Sequence, residues 1–188
     1  MGLPNWLTVL RILLIPVFVS LLVYRRPGTA LAVFCLASLT DLLDGWVARR
    51  RGSQSRLGAF LDPMADKLLL SASYVTLTYL RALPFWITAV VISRDIILVL
   101  GAVLIHMTGG QVYPSPTRAG KLSTFFQILT VLVAMATPYT RSPGLLRFTV
   151  WVAAAFTVCS GLQYISRGMR YLNAAHTSER EHEDTVVR

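Results

Sequence analysis

An all-α polytopic membrane protein with about six transmembrane helices is the architecture this sequence predicts, and three observations predict it. Hydrophobic residues make up 54% of the 188 positions and charged residues only 14%, where an ordinary soluble domain has roughly 25% charged. Mean hydropathy is correspondingly high at +0.58. Apolar stretches long enough for membrane spans recur from Trp6 almost to Tyr164, each span needing about 20 largely apolar residues. The breaks between them carry Pro, Gly and Arg rather than any segment that could fold separately, which excludes a distinct soluble catalytic domain within 188 residues.

In chain order the expected spans are 5–24, 28–50, 63–81, 84–107, 119–138 and 144–167. They are separated at Arg25-Arg26-Pro27-Gly28, the Arg/Gly/Ser run at 50–56, Pro84, the stretch from Gly109 to Pro116, and Pro138 with Pro143-Gly144. Residues 1–170 are read as one transmembrane domain and 171–188 as a polar tail whose mixed charges favour fraying. Arg11 interrupts the first span, so its opening either lines a polar cavity, with Asn5, Thr8 and Arg11 as pocket residues, or Arg11 snorkels to the head groups. Basic residues gather on alternate connections. Arg49, Arg50, Arg51, Arg56, Lys67, Arg118, Lys121, Arg167 and Arg170 fall on one side, Arg25, Arg26, Arg81, Arg141 and Arg147 on the other. The positive-inside rule turns the 50–62 loop and both termini to the cytoplasm.

Small counts exclude other classes. Cys35 and Cys159 have no CxxC partner and read as packing residues; His106, His176 and His182 lack metal-ligand spacing. No basic leader or small-residue cleavage site precedes the first apolar run, so the first helix is expected to be retained. Trp6, Trp86 and Trp151 near span ends read as belt residues, and Gln127 as an interhelical hydrogen-bonding residue.

The acids carry the functional signal. Of nine, four sit in the tail, and four of the remaining five, Asp41, Asp44, Asp62 and Asp66, fall within 26 residues. Asp41 and Asp44 share a face of the second helix, and Asp62 and Asp66 share a face of the third. In an antiparallel hairpin Asp41 and Asp66 form the deeper layer, with Asp41 roughly 13 Å before the helix end. One carboxylate at membrane depth costs on the order of 3 kcal/mol, and four repel one another. Two divalent ions would balance the four charges, and all-oxygen ligands suit Mg²⁺ or Mn²⁺. Alternatively Arg49, Lys67 and Arg94 neutralise the group as a salt-bridge network. Asp62 followed by Pro63 also fits an N-cap and first helical position, and Gly45 with Ala48 makes a smooth patch beside the acids, useful either for helix packing or for close approach of a ligand.

The string Asp41-Leu-Leu-Asp44-Gly45-Trp-Val-Ala48-Arg49, eight residues, then Gly58-Ala-Phe-Leu-Asp62-Pro-Met-Ala-Asp66 resembles the signature of the CDP-alcohol phosphatidyltransferases, D-x2-D-G-x2-A-R-x8or9-G-x3-D-x3-D, at every fixed position. The resemblance implies a six-helix, commonly dimeric membrane enzyme with a two-metal site, a CDP-linked donor and CMP as the released product. By the same resemblance Asp41, Asp44 and Asp62 are metal ligands, Asp66 a ligand or the base, and Gly45, Ala48, Arg49 and Gly58 meet the CDP moiety. The segments around Pro4–Ile12, Gly58–Leu69 and Pro114–Gln127 look like the phosphatidylglycerophosphate synthase branch. That implies CDP-diacylglycerol as donor and an anionic glycerol-type acceptor, glycerol 3-phosphate. Arg118, Lys121 and Arg94 suit an anionic acceptor by charge-assisted hydrogen bonds; the alternatives are that Arg118 and Lys121 are interfacial anchors and that Arg94 and Asp95 pair with each other or with other helices. Arg94-Asp95 is a departure resembling the cardiolipin synthase branch, whose acceptor is phosphatidylglycerol. A divalent-cation transporter is the rival from another class, but it needs no Gly45/Ala48 patch. The expected setting is a multi-pass protein of a bacterial cytoplasmic or mitochondrial inner membrane, with membrane lipids as partners, a homodimeric state, and no nucleic acid.

Overall fold

The computed structural model describes the backbone of residues 3–38, 56–107 and 118–186, and side chains over 10–38, 67–101, 103, 119–166, 168 and 169. All regular structure among the described residues is helical: α1 (Leu3–Val23), α2 (Pro27–Ser38 as far as it is described), α3 (Arg56–Tyr79), α4 (Phe85–Met107), α5 (Arg118–Thr140) and α6 (Pro143–Val186). α1 packs on α3, α3 on α4 and α5, and α6 on both α4 and α5.

Three short turns bring successive helices back on themselves, and they share one chemistry. After α1, the Arg25 N–H donates to the Leu22 carbonyl and the Arg26 N–H to the Leu21 carbonyl; after α3, Arg81 donates to Thr78 and Ala82 to Leu77; after α5, Arg141 donates to Thr137. The first two are Schellman caps and the third is the simpler left-handed cap. Arg25, Arg81 and Arg141 accordingly have φ of 55°, 60° and 49°. A proline within three residues of each, Pro27, Pro84 or Pro143, prevents the preceding helix from continuing and starts the next with its φ already set.

One apolar cluster runs through all six helices, including Phe18, Phe34, Tyr74, Val91, Met135 and Val150. The Phe18 and Phe34 rings lie 5.7 Å apart across α1 and α2. Around this cluster polar groups are buried as well and large apolar ones are exposed. Arg11, Ser73, Thr76, Thr88, Arg94, Ser123, Gln127, Thr130, Thr149, Thr157 and Ser160 are buried, while Leu13, Tyr79, Phe125, Phe148 and Leu162 are among many large apolar side chains left exposed. The buried groups are used between helices. Gln127 Nε2 donates to Thr157 Oγ1 at 2.9 Å, Thr130 Oγ1 to the Thr149 carbonyl at 3.1 Å, and the Thr78 and Thr88 hydroxyls meet at 2.6 Å. Polar groups bonding across helices inside an apolar exterior suit a chain surrounded by hydrocarbon. Two described segments, Ala119–Thr140 and Pro143–Ser166, are long and apolar enough to cross a membrane.

Several boundaries differ from expectation. α3 begins at Arg56, seven residues before the expected start at 63, so Asp62 and Pro63 lie inside the helix and Asp62 is not an N-cap. α5 continues through Pro138 to Thr140; a proline in the last turn removes one amide donor near an end that frays into a cap anyway. The segment 171–188, expected to fray, is helical as far as Val186. Its Ala, Arg and Glu are good helix formers, and no Gly or Pro follows Gly168. Arg11, for which snorkelling was one alternative, is 2% exposed. Cys35 and Cys159 are free, as expected, but exposed rather than packed inside, since an apolar surface accepts a small hydrophobe as readily as a core does.

α4 and α6 approach closely where Gly101 faces Tyr164: a Cβ at Gly101 would lie 2.8 Å from Tyr164 Cε1. Gly101→Ala is therefore expected to lower stability by about 1–3 kcal/mol, read as the thermal midpoint in detergent, with most of the loss removed in a Tyr164→Ala background. Gly144→Ala, which meets nothing within 4 Å, is the control.

Candidate active site

Asp62 and Asp66 both lie in the interior of α3. Four residues apart on a continuous helix, they occupy one face on successive turns. Gly58 is one turn earlier on the same helix. The other half of the motif, Asp41, Asp44, Gly45, Ala48 and Arg49, lies outside the described residues.

Directly after Asp66, Lys67 enters a charged group joining three helices. Lys67 Nζ lies 2.6 Å from Asp95 Oδ1 on α4, and Arg94 Nη1 lies 2.7 Å from the same oxygen. Arg94 Nη2 donates to Ser160 Oγ on α6 at 3.1 Å. Gly161 packs beside Arg94, where a Cβ would meet Arg94 Cγ at 3.8 Å, an ordinary contact. Arg94 and Asp95 side chains are 8% and 14% exposed, Lys67 37%. Asp95 is thus a carboxylate between two cations, Lys67 and Arg94. Two buried atoms in it, Arg94 Nε and Asp95 Oδ2, have no hydrogen-bond partner among the described residues.

The helical register brings α5 to the same level. The Ser123 and Thr157 hydroxyls meet at 3.0 Å, and α5 runs antiparallel to α6, so 118–121 lie beside the turn of α6 that holds Ser160. Arg118 opens α5, and Lys121 is exposed one turn later. Gln127 forms the interhelical hydrogen bond expected of it, its carbonyl also accepting from Tyr74 Oη at 3.3 Å. Asn5, Thr8 and Arg11 lie along α1.

Of the expected site residues, the structure therefore puts Asp62 and Asp66 on one helix face, Arg94 in the charged group that follows them, and Lys121 exposed on α5 near the α6 turn that holds Ser160. Two contributors were not singled out for the site. Lys67 was read only as a neutralising charge, and Ser160 not at all, although Thr149, Thr157 and Ser160 recur along one face of an otherwise apolar helix.

A family model described as CDP-alcohol phosphatidyltransferase matches residues 1–159. The chain is 34% identical over 177 residues to the human cardiolipin synthase (CMP-forming), covering 84% of this chain and 58% of that protein. It therefore spans little more than half the length of that relative. It is 34% identical over 193 residues to the CDP-diacylglycerol–glycerol-3-phosphate 3-phosphatidyltransferase of Bacillus subtilis, with 93% of this chain and 99% of the relative covered. The Pseudomonas fluorescens protein of the same name is 37% identical over 187 residues, covering 93% and 90%.

Proposed function

Since the chain belongs to the CDP-alcohol phosphatidyltransferase family, we propose that it transfers a phosphatidyl group from CDP-diacylglycerol to the hydroxyl of glycerol 3-phosphate, releasing CMP and giving phosphatidylglycerophosphate. The observation that carries this reading is the complete bipartite motif from Asp41 to Asp66, in a chain that aligns with almost the whole of the Bacillus subtilis relative. In this reading all six helices cross the membrane, the acidic end faces the cytoplasm, and the protein is a homodimer. The exposed apolar surface supports the first point and the distribution of Arg and Lys the second.

The donor set fits a hard divalent metal. Asp62 and Asp66 are carboxylates on one helix face, and together with Asp41 and Asp44 they would hold Mg²⁺ or Mn²⁺, two ions balancing four charges. When bound, such ions supply positive charge to the diphosphate oxygens. Gly45, Ala48, Arg49 and Gly58 receive the CDP moiety. Asp66 takes the proton from the acceptor hydroxyl as its oxygen forms a bond to the phosphorus bearing the diacylglycerol; the phosphoanhydride P–O bond breaks and CMP leaves. Arg118, one turn from Lys121 at the start of α5, holds the acceptor phosphate with it, helped by the partial positive charge of that helix end. Arg94 adds positive potential from behind, and Asn5, Thr8 and Arg11 line the pocket from α1.

Arg118→Ala and Lys121→Ala are each expected to raise the KM for glycerol 3-phosphate about tenfold or more, while the KM for CDP-diacylglycerol moves little. Steady-state CMP release with each substrate varied in turn checks this. Equal increases for both substrates would place the two side chains at the CDP phosphates instead. A second reading, cardiolipin synthesis with phosphatidylglycerol as acceptor, is favoured by the Arg94-Asp95 pair and by the likeness to the human relative. The same assay with phosphatidylglycerol in place of glycerol 3-phosphate separates the two.

A further inference from the structure

The end of the bundle away from the acids has its own chemistry. Asp66 precedes Arg81 by 15 residues, nearly all of them in α3, which is roughly 20 Å along the axis. At that end the α3–α4 turn and the start of α6 border an open cleft of about 820 Å³, lined by residues including Thr78, Arg81, Trp86, Pro143, Arg147 and Trp151. The Trp86 and Trp151 rings lie 5.1 Å apart. Its lining carries two arginines and no acid. Nor does the chain offer one nearby, because no Asp or Glu occurs in 1–40, 67–94 or 96–178. The α1–α2 turn belongs to the same end, since a Cβ on Gly28 would sit 3.0 Å from Tyr139 Oη.

The residue at the crest of each turn is also unexpected. Arg25, Arg81 and Arg141 take the left-handed conformation that glycine adopts without a steric cost. Each follows an exposed tyrosine, Tyr24, Tyr79 or Tyr139, by one or two residues. Three turns unrelated in sequence position thus repeat a tyrosine, a strained arginine and a proline. Capping alone is served better by glycine, so the turn does not account for the arginine. An aromatic ring beside a guanidinium at the end of an apolar helix is the arrangement that meets a phospholipid at its glycerol and phosphate.

We propose that the cleft between the α3–α4 turn and the start of α6 binds one anionic glycerophospholipid, its phosphate held by Arg81 and Arg147 and its glycerol and upper acyl carbons lying against Trp86 and Trp151. Charge complementarity selects an anionic over a zwitterionic head group, because a quaternary ammonium would meet the same two cations. The exposed apolar faces of α4 and α6 below the cleft, at Ile96 and Val158, extend the surface along which acyl chains run and which a free phosphate cannot use. The proposal is separate from the transfer reaction, and no residue in it belongs to the acidic site.

The test is native mass spectrometry and thermal unfolding of the full chain in detergent doped with phosphatidylglycerol or phosphatidylcholine, comparing wild type with Arg81→Gln/Arg147→Gln. Wild type is expected to retain one more phosphatidylglycerol than the double variant and to gain thermal midpoint with phosphatidylglycerol alone. The double variant loses that shift while CMP release continues. Glycerol 3-phosphate or inorganic phosphate added at millimolar concentration leaves the extra lipid in place. Equal lipid counts in the two proteins, an equal shift with phosphatidylcholine, or displacement by free phosphate each overturn the proposal. Arg81→Gly guards against misfolding of the double variant. Glycine suits the turn, so the lipid-free midpoint should hold or rise while the phosphatidylglycerol shift falls; an undiminished shift in that variant also overturns the site. Loss of CMP release in wild type itself refutes the transferase reading and leaves the lipid comparison intact.

Discussion

Asparagine in place of Asp66 is expected to lower the transfer rate about 10²–10⁴-fold, the range for loss of a general base, while CDP-diacylglycerol still binds. The substitution keeps size and hydrogen-bonding capacity but cannot accept the proton from an attacking hydroxyl. Asp66 lies in the interior of a continuous helix, so no cap or turn is lost with it. The measurement is CMP release alongside donor binding by equilibrium dialysis. Asp41→Asn, Asp44→Asn and Asp62→Asn should instead lose rate together with a rise in the Mg²⁺ needed for half-maximal activity. An Asp66→Asn protein whose activity returns with excess Mg²⁺ would assign Asp66 to the metal rather than to the proton.

The second large effect is structural. Asp95→Ala removes the carboxylate that Lys67 and Arg94 share, and stranding a buried charge in this way costs about 3–5 kcal/mol. Most of that belongs to Arg94, whose side chain is 8% exposed; Lys67, at 37%, can turn toward solvent. Asp95→Asn should fall between wild type and alanine, since it keeps an acceptor for Arg94 Nη1 but no charge. Thermal unfolding in detergent reads this order. A midpoint for Asp95→Ala within a degree of wild type would show that the cluster contributes no stability.

Helix number and most helix positions were legible because apolar runs and Pro/Gly/Arg punctuation both report the same spans; α4 begins and ends within a residue of expectation. The start of α3 was not. Asp62-Pro63 is a valid local start signal, and it was overridden by seven preceding residues that continue the same helix. The exposed cysteines and the buried Arg11 were misjudged, or left open, for a common reason. In this bundle both apolar and polar side chains are found inside and large apolar ones outside, so hydrophobicity alone does not say which face of a helix is buried. The acidic motif stands out in the sequence by its spacing, because carboxylates are costly in such a chain, while its first half lies outside the described residues. The Lys67–Asp95–Arg94–Ser160 connection was not legible, since it joins residues up to 93 positions apart whose meeting depends on how α3, α4 and α6 pack.

The central claim is tested most directly by mass spectrometry of the lipid formed when purified protein is given CDP-diacylglycerol and Mg²⁺ with glycerol 3-phosphate, inositol phosphate or phosphatidylglycerol in separate reactions. The account predicts phosphatidylglycerophosphate, in amounts equal to the CMP released, from glycerol 3-phosphate alone. Cardiolipin formed only from phosphatidylglycerol would contradict the acceptor, and folded protein that releases no CMP with any of the three would contradict the transferase itself.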